Sequence, residues 1–214
     1  MLRGNMPEYR VIYFDARGRA EPIRLSLAAA GQVFEDKRVQ SEEWEKMKSE
    51  MPQGAVPILS VDGHMIAQST AILRYIAREY DMYGEGTKNM TMVDTIISTY
   101  EDFFTEMIKP YMEQDEDKKK ELRKAFGEKV VPKFVKIMSK TLSDNKENSG
   151  WLVGSKLTVA DIVVFCMFAD AESLFDKTAA EAFLEDAKLI AHSEKVAANS
   201  AIKAWIAKRP NNAF

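Results

Sequence analysis

The chain has 214 residues, enough for two small domains or one near the upper size limit. Its 46% hydrophobic and 29% charged residues are ordinary globular composition, and a net charge of −3 gives no electrostatic reason to expect nucleic acid or an anionic membrane as partner. No apolar run reaches the roughly 18 residues needed to span a bilayer, the lone Cys166 excludes an intrachain disulfide and dithiol redox chemistry, and two histidines, His64 and His192, offer no metal motif.

Met1–Pro7 lacks the apolar core of a signal peptide, so the chain is expected in a reducing, cytoplasmic setting. Arg10–Phe14 is a β-branched and aromatic run and predicts a strand. Glu21–Ala30 predicts a helix, with Pro22 tolerated in its first turn and Gly31 just past its end. Val33–Val39 predicts a second strand, and the three together predict a right-handed βαβ unit with parallel strands. Ser41–Glu50 predicts one or two helical turns and Met51–Val56 a loop. Pro57–Val61 and His64–Ala67 flank Asp62-Gly63, a type I′ hairpin signal, and Ser69–Tyr80 predicts a helix.

The character of the chain changes near residue 81. Residues 81–88 contain two glycines and read as a linker, and almost everything beyond reads as helix. From Met92, apolar residues at Val93, Ile96, Ile97, Tyr100, Phe103, Phe104, Met107, Ile108 and Tyr111 keep a 3.6-residue period, so a long amphipathic helix is predicted, ending or kinking at Pro110. Residues 117–142 predict another helix with a bend at Pro132, and Ser143–Gly150 a polar loop. Thr158–Met167 predicts a buried helix opened by a capping box of Thr158 and Asp161. Residues 181–192 and 200–208 predict two weaker helices. The order β-α-β, hairpin, helix is the thioredoxin-like one. The expected fold is therefore an α/β thioredoxin-like domain over residues 1–80, a linker over 81–88 and an all-helical domain over 89–214.

The segment from Tyr13 to Pro22 carries the chemical signal. Tyr13 ends a strand before a Gly-containing turn into a helix, where free N–H groups and the helix dipole favour an anion, with Arg17 and Arg19 close by. On spacing alone a plainer alternative stays open, a strand-end tyrosine packed on the core beside two solvated arginines. A small buried hydrophobe is the better reading of Cys166 than a reactive thiol.

The run YFDARGRAEPIR, the WEKMK segment, VPILSVDG, AQSTAILRYIA, GSKLTVADI and the RPNNAF terminus together resemble glutathione transferases of the sigma class, nearly end to end. That class includes flatworm and mollusc enzymes and haematopoietic prostaglandin D synthases. The resemblance implies that Tyr13 donates a hydrogen bond to the glutathione sulfur and that Arg19 sits near it. It implies that Trp44 and Lys48 bind the glycine end, that Val56 pairs its backbone with the cysteinyl part before a cis Pro57, and that Gln68 and Ser69 bind the γ-glutamyl group. It further implies a homodimer in which Asp102 reaches glutathione bound by the other subunit. A hydrophobic electrophile pocket would involve Phe14, Gly18, Phe104, Val163, Met167 and Phe214. Glutathione is then the co-substrate, no metal takes part, and conjugation of small hydrophobic electrophiles or reduction of lipid peroxides is the expected activity. Prostaglandin isomerase and crystallin-like structural roles are the alternatives within the same resemblance.

Four positions depart from the family pattern. Ala55 stands where relatives often carry a polar residue touching glutathione. Asp15-Ala16 replaces an Asn/Asp-Gly pair. Gln53 falls where some relatives insert an aromatic into the partner subunit. Lys109 falls near a tryptophan that walls the prostaglandin isomerase pocket, which argues against that activity.

Overall fold

The structure is a computed structural model that describes residues 7–169 and 184–212. It divides into two compact units, Met1–Tyr80 with Ala201–Phe214, and Asp81–Ser200.

The first unit is built on a four-stranded sheet of order β2-β1-β3-β4, formed by β1 (Tyr9–Phe14), β2 (Phe34–Val39), β3 (Ile58–Val61) and β4 (His64–Ala67). β1 runs parallel to β2 and antiparallel to β3, which pairs antiparallel with β4. Helix α1 (Glu21–Ala29) makes the crossover from β1 to β2, as the βαβ pattern predicts. Gly31 takes φ +70° just past it. Between β2 and β3 lie α2 (Ser41–Met47) and two single 3₁₀ turns, Lys48–Glu50 and Pro52–Gly54. Asp62 and Gly63, at φ +50° and +84°, make the tight hairpin turn that their sequence foretells. Helix α3 (Ser69–Glu79) follows β4 and packs on α1.

The central strand is buried at Tyr9, Val11 and Ile12, because sheet neighbours flank it and apolar side chains cover both faces. One face holds Ile12, Val39, Trp44, Met51 and Ile58, with Met47, Val56 and Ala67 packed on them.

The second unit is helical in the described residues: α4 (Gly86–Met112), α5 (Glu116–Ala125), α6 (Val131–Asp144), α7 (Val159–Ala169) and α8 (Ala187–Ala197). Its core is the stripe that the sequence shows along α4, with Val93, Ile97, Tyr100 and Phe104 at 0% exposure. The helix α9 (Ser200–Lys208) lies almost wholly in the first unit.

Several boundaries differ from expectation. The linker stops at Glu85 rather than residue 88, because α4 begins with two exposed turns that precede its apolar stripe and carry no periodic signal. Pro110 neither ends nor precedes the end by much, since α4 runs two residues past it. The helix predicted over 117–142 is two, joined by a wide turn at Phe126–Val130 in which Val131 N–H donates to the Phe126 carbonyl. Pro132 has no N–H for the carbonyl four residues earlier, so the ladder loosens one turn before the proline. The helix predicted over 181–192 is α8, shifted to 187–197, and residues 181–183 lie outside the described residues. The C-terminal segment leaves the expected helical domain: Trp205 Nε1 donates to Glu21 Oε1 at 2.9 Å, and its ring packs on Phe34 at 4.9 Å.

Candidate active site

Sheet register gathers the N-terminal candidates. Ile12 lies opposite Ile58, and Ile58 opposite Ala67. One step further along, Tyr13, Pro57 and Gln68 therefore meet at the same end of the sheet. The Val56–Pro57 peptide is cis, as the resemblance implies. Ser69, only 6% exposed, opens α3, and Gln68 before it holds φ +71°, a conformation uncommon outside glycine.

Tyr13 is half-buried at the end of β1, beside the turn that leads through the 3₁₀ segment Gly18–Ala20 into α1. The backbone N–H of Arg19 donates to its Oη at 3.4 Å. A donor directed at the phenol oxygen uses a lone pair and leaves the O–H free to donate elsewhere. Burial pushes the phenol pKa above its ordinary value, opposed by the Arg19 N–H and by the charges of Arg19 and Arg24. The raised pKa favours the neutral hydroxyl, a form that can donate a hydrogen bond. A side chain on Gly18 would place its Cβ 2.7 Å from Oη, and Gly18 sits at φ +39°. Glycine alone keeps the phenol open here.

The turn around Tyr13 is anchored by charges that sequence reasoning missed. Arg24, at 0% exposure, donates through Nη1 to the carbonyls of Ala16 at 2.9 Å and Arg17 at 3.3 Å, and through Nε to Asp36 Oδ1 at 2.7 Å. Asp36 also accepts from Arg38 Nε at 2.8 Å, and Arg38 reaches Asp15 at 3.1 Å. A hydrogen bond from the Asn212 amide, and after it one from Arg38, holds the Asp15 carboxyl below its ordinary pKa. A signal was present: Arg24 is the single charge inside the apolar run PIRLSLAAA, so it had to be either exposed by a break in the helix or paired in the core.

The remaining candidates of this unit sit nearby. Phe14 is 36% exposed, with its ring 5.8 Å from Trp44 in an edge-on arrangement. Trp44 is buried at 8% in the core cluster, and Lys48, one turn on, is exposed with its stem and backbone carbonyl 3.8 Å from where a Gly54 Cβ would stand. Ala55 is exposed and extended at φ −142°, so its methyl group offers no polar contact. Gln68 Nε2 donates to Gln53 Oε1 at 2.6 Å. In the second unit Asp102 is exposed on α4, off the buried stripe, as expected. Phe104, Val163 and Met167 are 0%, 0% and 2% exposed, which makes them core residues of that unit with almost no surface for a ligand. Cys166 is likewise buried. Phe214 lies outside the described residues. No group of three or more metal-ligating side chains occurs among the described residues.

Comparison with known proteins decides the family. Residues 9–78 match the glutathione S-transferase N-terminal domain, and residues 101–209 match the C-terminal domain. The chain belongs to the glutathione S-transferase family. It is 37% identical to an S-crystallin of Nototodarus sloanii and 37% identical to a hematopoietic prostaglandin D synthase of Gallus gallus, in each case over 98% of this chain and 100% of the relative. Among solved structures it resembles a monomeric glutathione S-transferase of the hookworm Necator americanus, with a TM-score of 0.86 and 36% identity over 97% of this chain and 100% of that one. Family membership accounts for the thioredoxin-like sheet followed by helices.

Proposed function

We propose that this protein is a sigma-class glutathione transferase that binds glutathione at the Tyr13 end of the sheet and holds its sulfur as a thiolate for attack on a hydrophobic electrophile. The observation that carries the reading is the Tyr13 hydroxyl: neutral, uncovered by any side chain at Gly18, and taking an N–H at its oxygen so that its proton is free for the sulfur. A free thiol has a pKa of about 8.5 and is only a few per cent thiolate at neutral pH. Lowering that pKa by about two units requires roughly 2.7 kcal/mol of thiolate stabilisation. One hydrogen bond to an anion contributes roughly 1.5–3 kcal/mol, and the nearby charge of Arg19 adds to it. Trp44 and Lys48 would take the glycine end, the Val56 backbone the cysteinyl amide, and Ser69 with Gln68 the γ-glutamyl end at the α3 N-terminus.

Homodimerisation and a cytoplasmic detoxifying or peroxide-reducing role belong to the same proposal. In support, Asp102 lines a groove of about 530 Å³ floored by Phe103 and Phe134, with Glu106 on its own helix and Lys129 and Lys133 across. The hookworm relative is described as monomeric, so sedimentation velocity is the direct test. The prostaglandin synthase relative raises isomerase activity as a second reading. Against it, Lys109 is a charged, exposed side chain paired with Glu106 at 2.5 Å.

The deciding experiment is conjugation of glutathione to a panel of electrophiles by the wild type and Tyr13→Phe. The expected result is retained binding to immobilised glutathione, a severe loss of turnover in the variant, and loss of its ultraviolet thiolate band. A variant as active as wild type would refute the role given to Tyr13. Poor retention of the wild type on glutathione would favour the crystallin-like alternative.

A further inference from the structure

Gln53 and Gln68 are both glutamines, both solvent-facing, and both at positive φ, +61° and +71°. A residue with a Cβ avoids this region unless its surroundings hold it there. The two side chains meet, with Gln68 Nε2 donating to Gln53 Oε1 at 2.6 Å. They come from segments that otherwise only approach each other, the Pro52–Gly54 turn and the end of β4.

An unrestrained carboxamide can present either its oxygen or its nitrogen to a ligand, because the two ends are alike in shape and opposite in polarity. In the observed pair Gln53 presents its oxygen and so selects one of the two orientations. With one N–H of Nε2 engaged by that acceptor, Oε1 is the end of the Gln68 carboxamide left to accept from a ligand. An α-amino acid end carries one carboxylate and one ammonium. The carboxylate suits the α3 N-terminus and the Ser69 hydroxyl. The ammonium is what an outward-facing amide oxygen suits.

We propose that Gln53 is a positioning residue that fixes the Gln68 carboxamide and so makes the site specific for thiols bearing a free γ-glutamyl α-ammonium. The assignment rests on the glutathione-binding reading above. It also gives a use to a residue that takes the place of an aromatic in some relatives.

The test compares glutathione with its des-amino analogue, in which hydrogen replaces the α-amino group, on wild type, Gln53→Ala, Gln53→Glu and Gln53→Lys. Calorimetric binding of glutathione to the wild type comes first, since its absence would defeat the glutathione reading itself and not this assignment alone. Holding one side chain in place is equivalent to roughly two- to twelvefold in affinity. Gln53→Ala is therefore expected to raise the glutathione KM within that range, with the loss confined to KM, and to leave the analogue's KM nearly unmoved. Gln53→Glu still accepts from Nε2 and is expected to restore the preference for the amino group. Gln53→Lys can only donate, reverses the amide, and is expected to bind glutathione worst. Equal losses for glutathione and the analogue in Gln53→Ala, or a Gln53→Lys variant that binds glutathione as well as wild type does, would overturn the proposal.

Discussion

At the scale of single residues, the smallest side chain in the site has the sharpest consequence. Gly18→Ala adds a methyl group 2.7 Å from the Tyr13 oxygen at a backbone φ of +39°. Either the phenol moves or the turn does, and both spoil the aim of the O–H. The expected outcome is a loss of turnover at least as large as a misplacement of about 1 Å produces, on the order of 100-fold, with the fold intact by circular dichroism. A pH profile checks the state of the phenol independently. Burial raises its pKa above the ordinary phenol value, so the neutral form predominates through the physiological range. Activity should rise with the ionisation of bound glutathione and show no descending limb up to about pH 9. A fall between pH 7 and pH 9 would mean that the phenol loses its proton there, against the neutral state that its burial favours.

At the scale of elements, the start of α7 shows what a local motif reveals and what it hides. Thr158 and Asp161 make one half of the capping box that their spacing announces, Thr158 N–H donating to Asp161 Oδ2 at 2.8 Å, while the Asp161 N–H donates to the Thr158 carbonyl and not its hydroxyl. The Thr158 hydroxyl also donates to Asp161 Oδ2 at 2.8 Å. The rest of the arrangement is not local. Leu152 N–H donates to Oδ1 at 2.8 Å, and His192 Nε2, from α8, lies 3.0 Å from the same atom. Asp161 is 0% exposed and His192 2%. Asp161→Asn keeps the volume but replaces one acceptor oxygen with a donor, so a buried N–H or O–H loses its partner. Chemical denaturation should show destabilisation by roughly 1–3 kcal/mol, with the glutathione KM unchanged because α7 belongs to the unit that does not contain Tyr13. A variant as stable as wild type would mean that these donors find other partners. The wide turn at Phe126–Val130 has the same lesson. The proline at 132 foretells a disturbance, but the carbonyl it fails to serve lies a turn earlier, so the break is displaced from its cause.

At the scale of the whole molecule, legibility follows the range of the interaction. Strand and helix periods, the Asp62-Gly63 hairpin and the Tyr13 turn depend on neighbours a few residues apart, and all are readable in the chain. The partners of Arg24 and the meeting of Gln53 with Gln68 depend on tertiary register, which no local pattern encodes. The longest such link joins the two ends of the first unit. Glu21, 1% exposed, accepts from Trp205 Nε1 at 2.9 Å and from Arg209 Nη1 at 2.7 Å, with Arg24 Nη1 3.3 Å away. Asn212 further on donates to the Asp15 carbonyl at 2.8 Å, next to the Tyr13 turn. The C-terminal segment is thus a structural part of the glutathione-binding unit. Truncation after Ser200 removes Trp205 from Phe34 and two donors from a buried carboxylate, and the shortened chain is expected to lose cooperative thermal unfolding. Arg209→Met separates the electrostatic part from the packing, since it keeps the aliphatic stem and deletes only the charge. Leaving Glu21 short of one charged partner should cost roughly 1–3 kcal/mol in denaturant unfolding. An Arg209→Met protein whose stability equals wild type at neutral pH would show that Arg24 and Trp205 alone satisfy Glu21, and the C-terminal segment would then act on this unit through packing only.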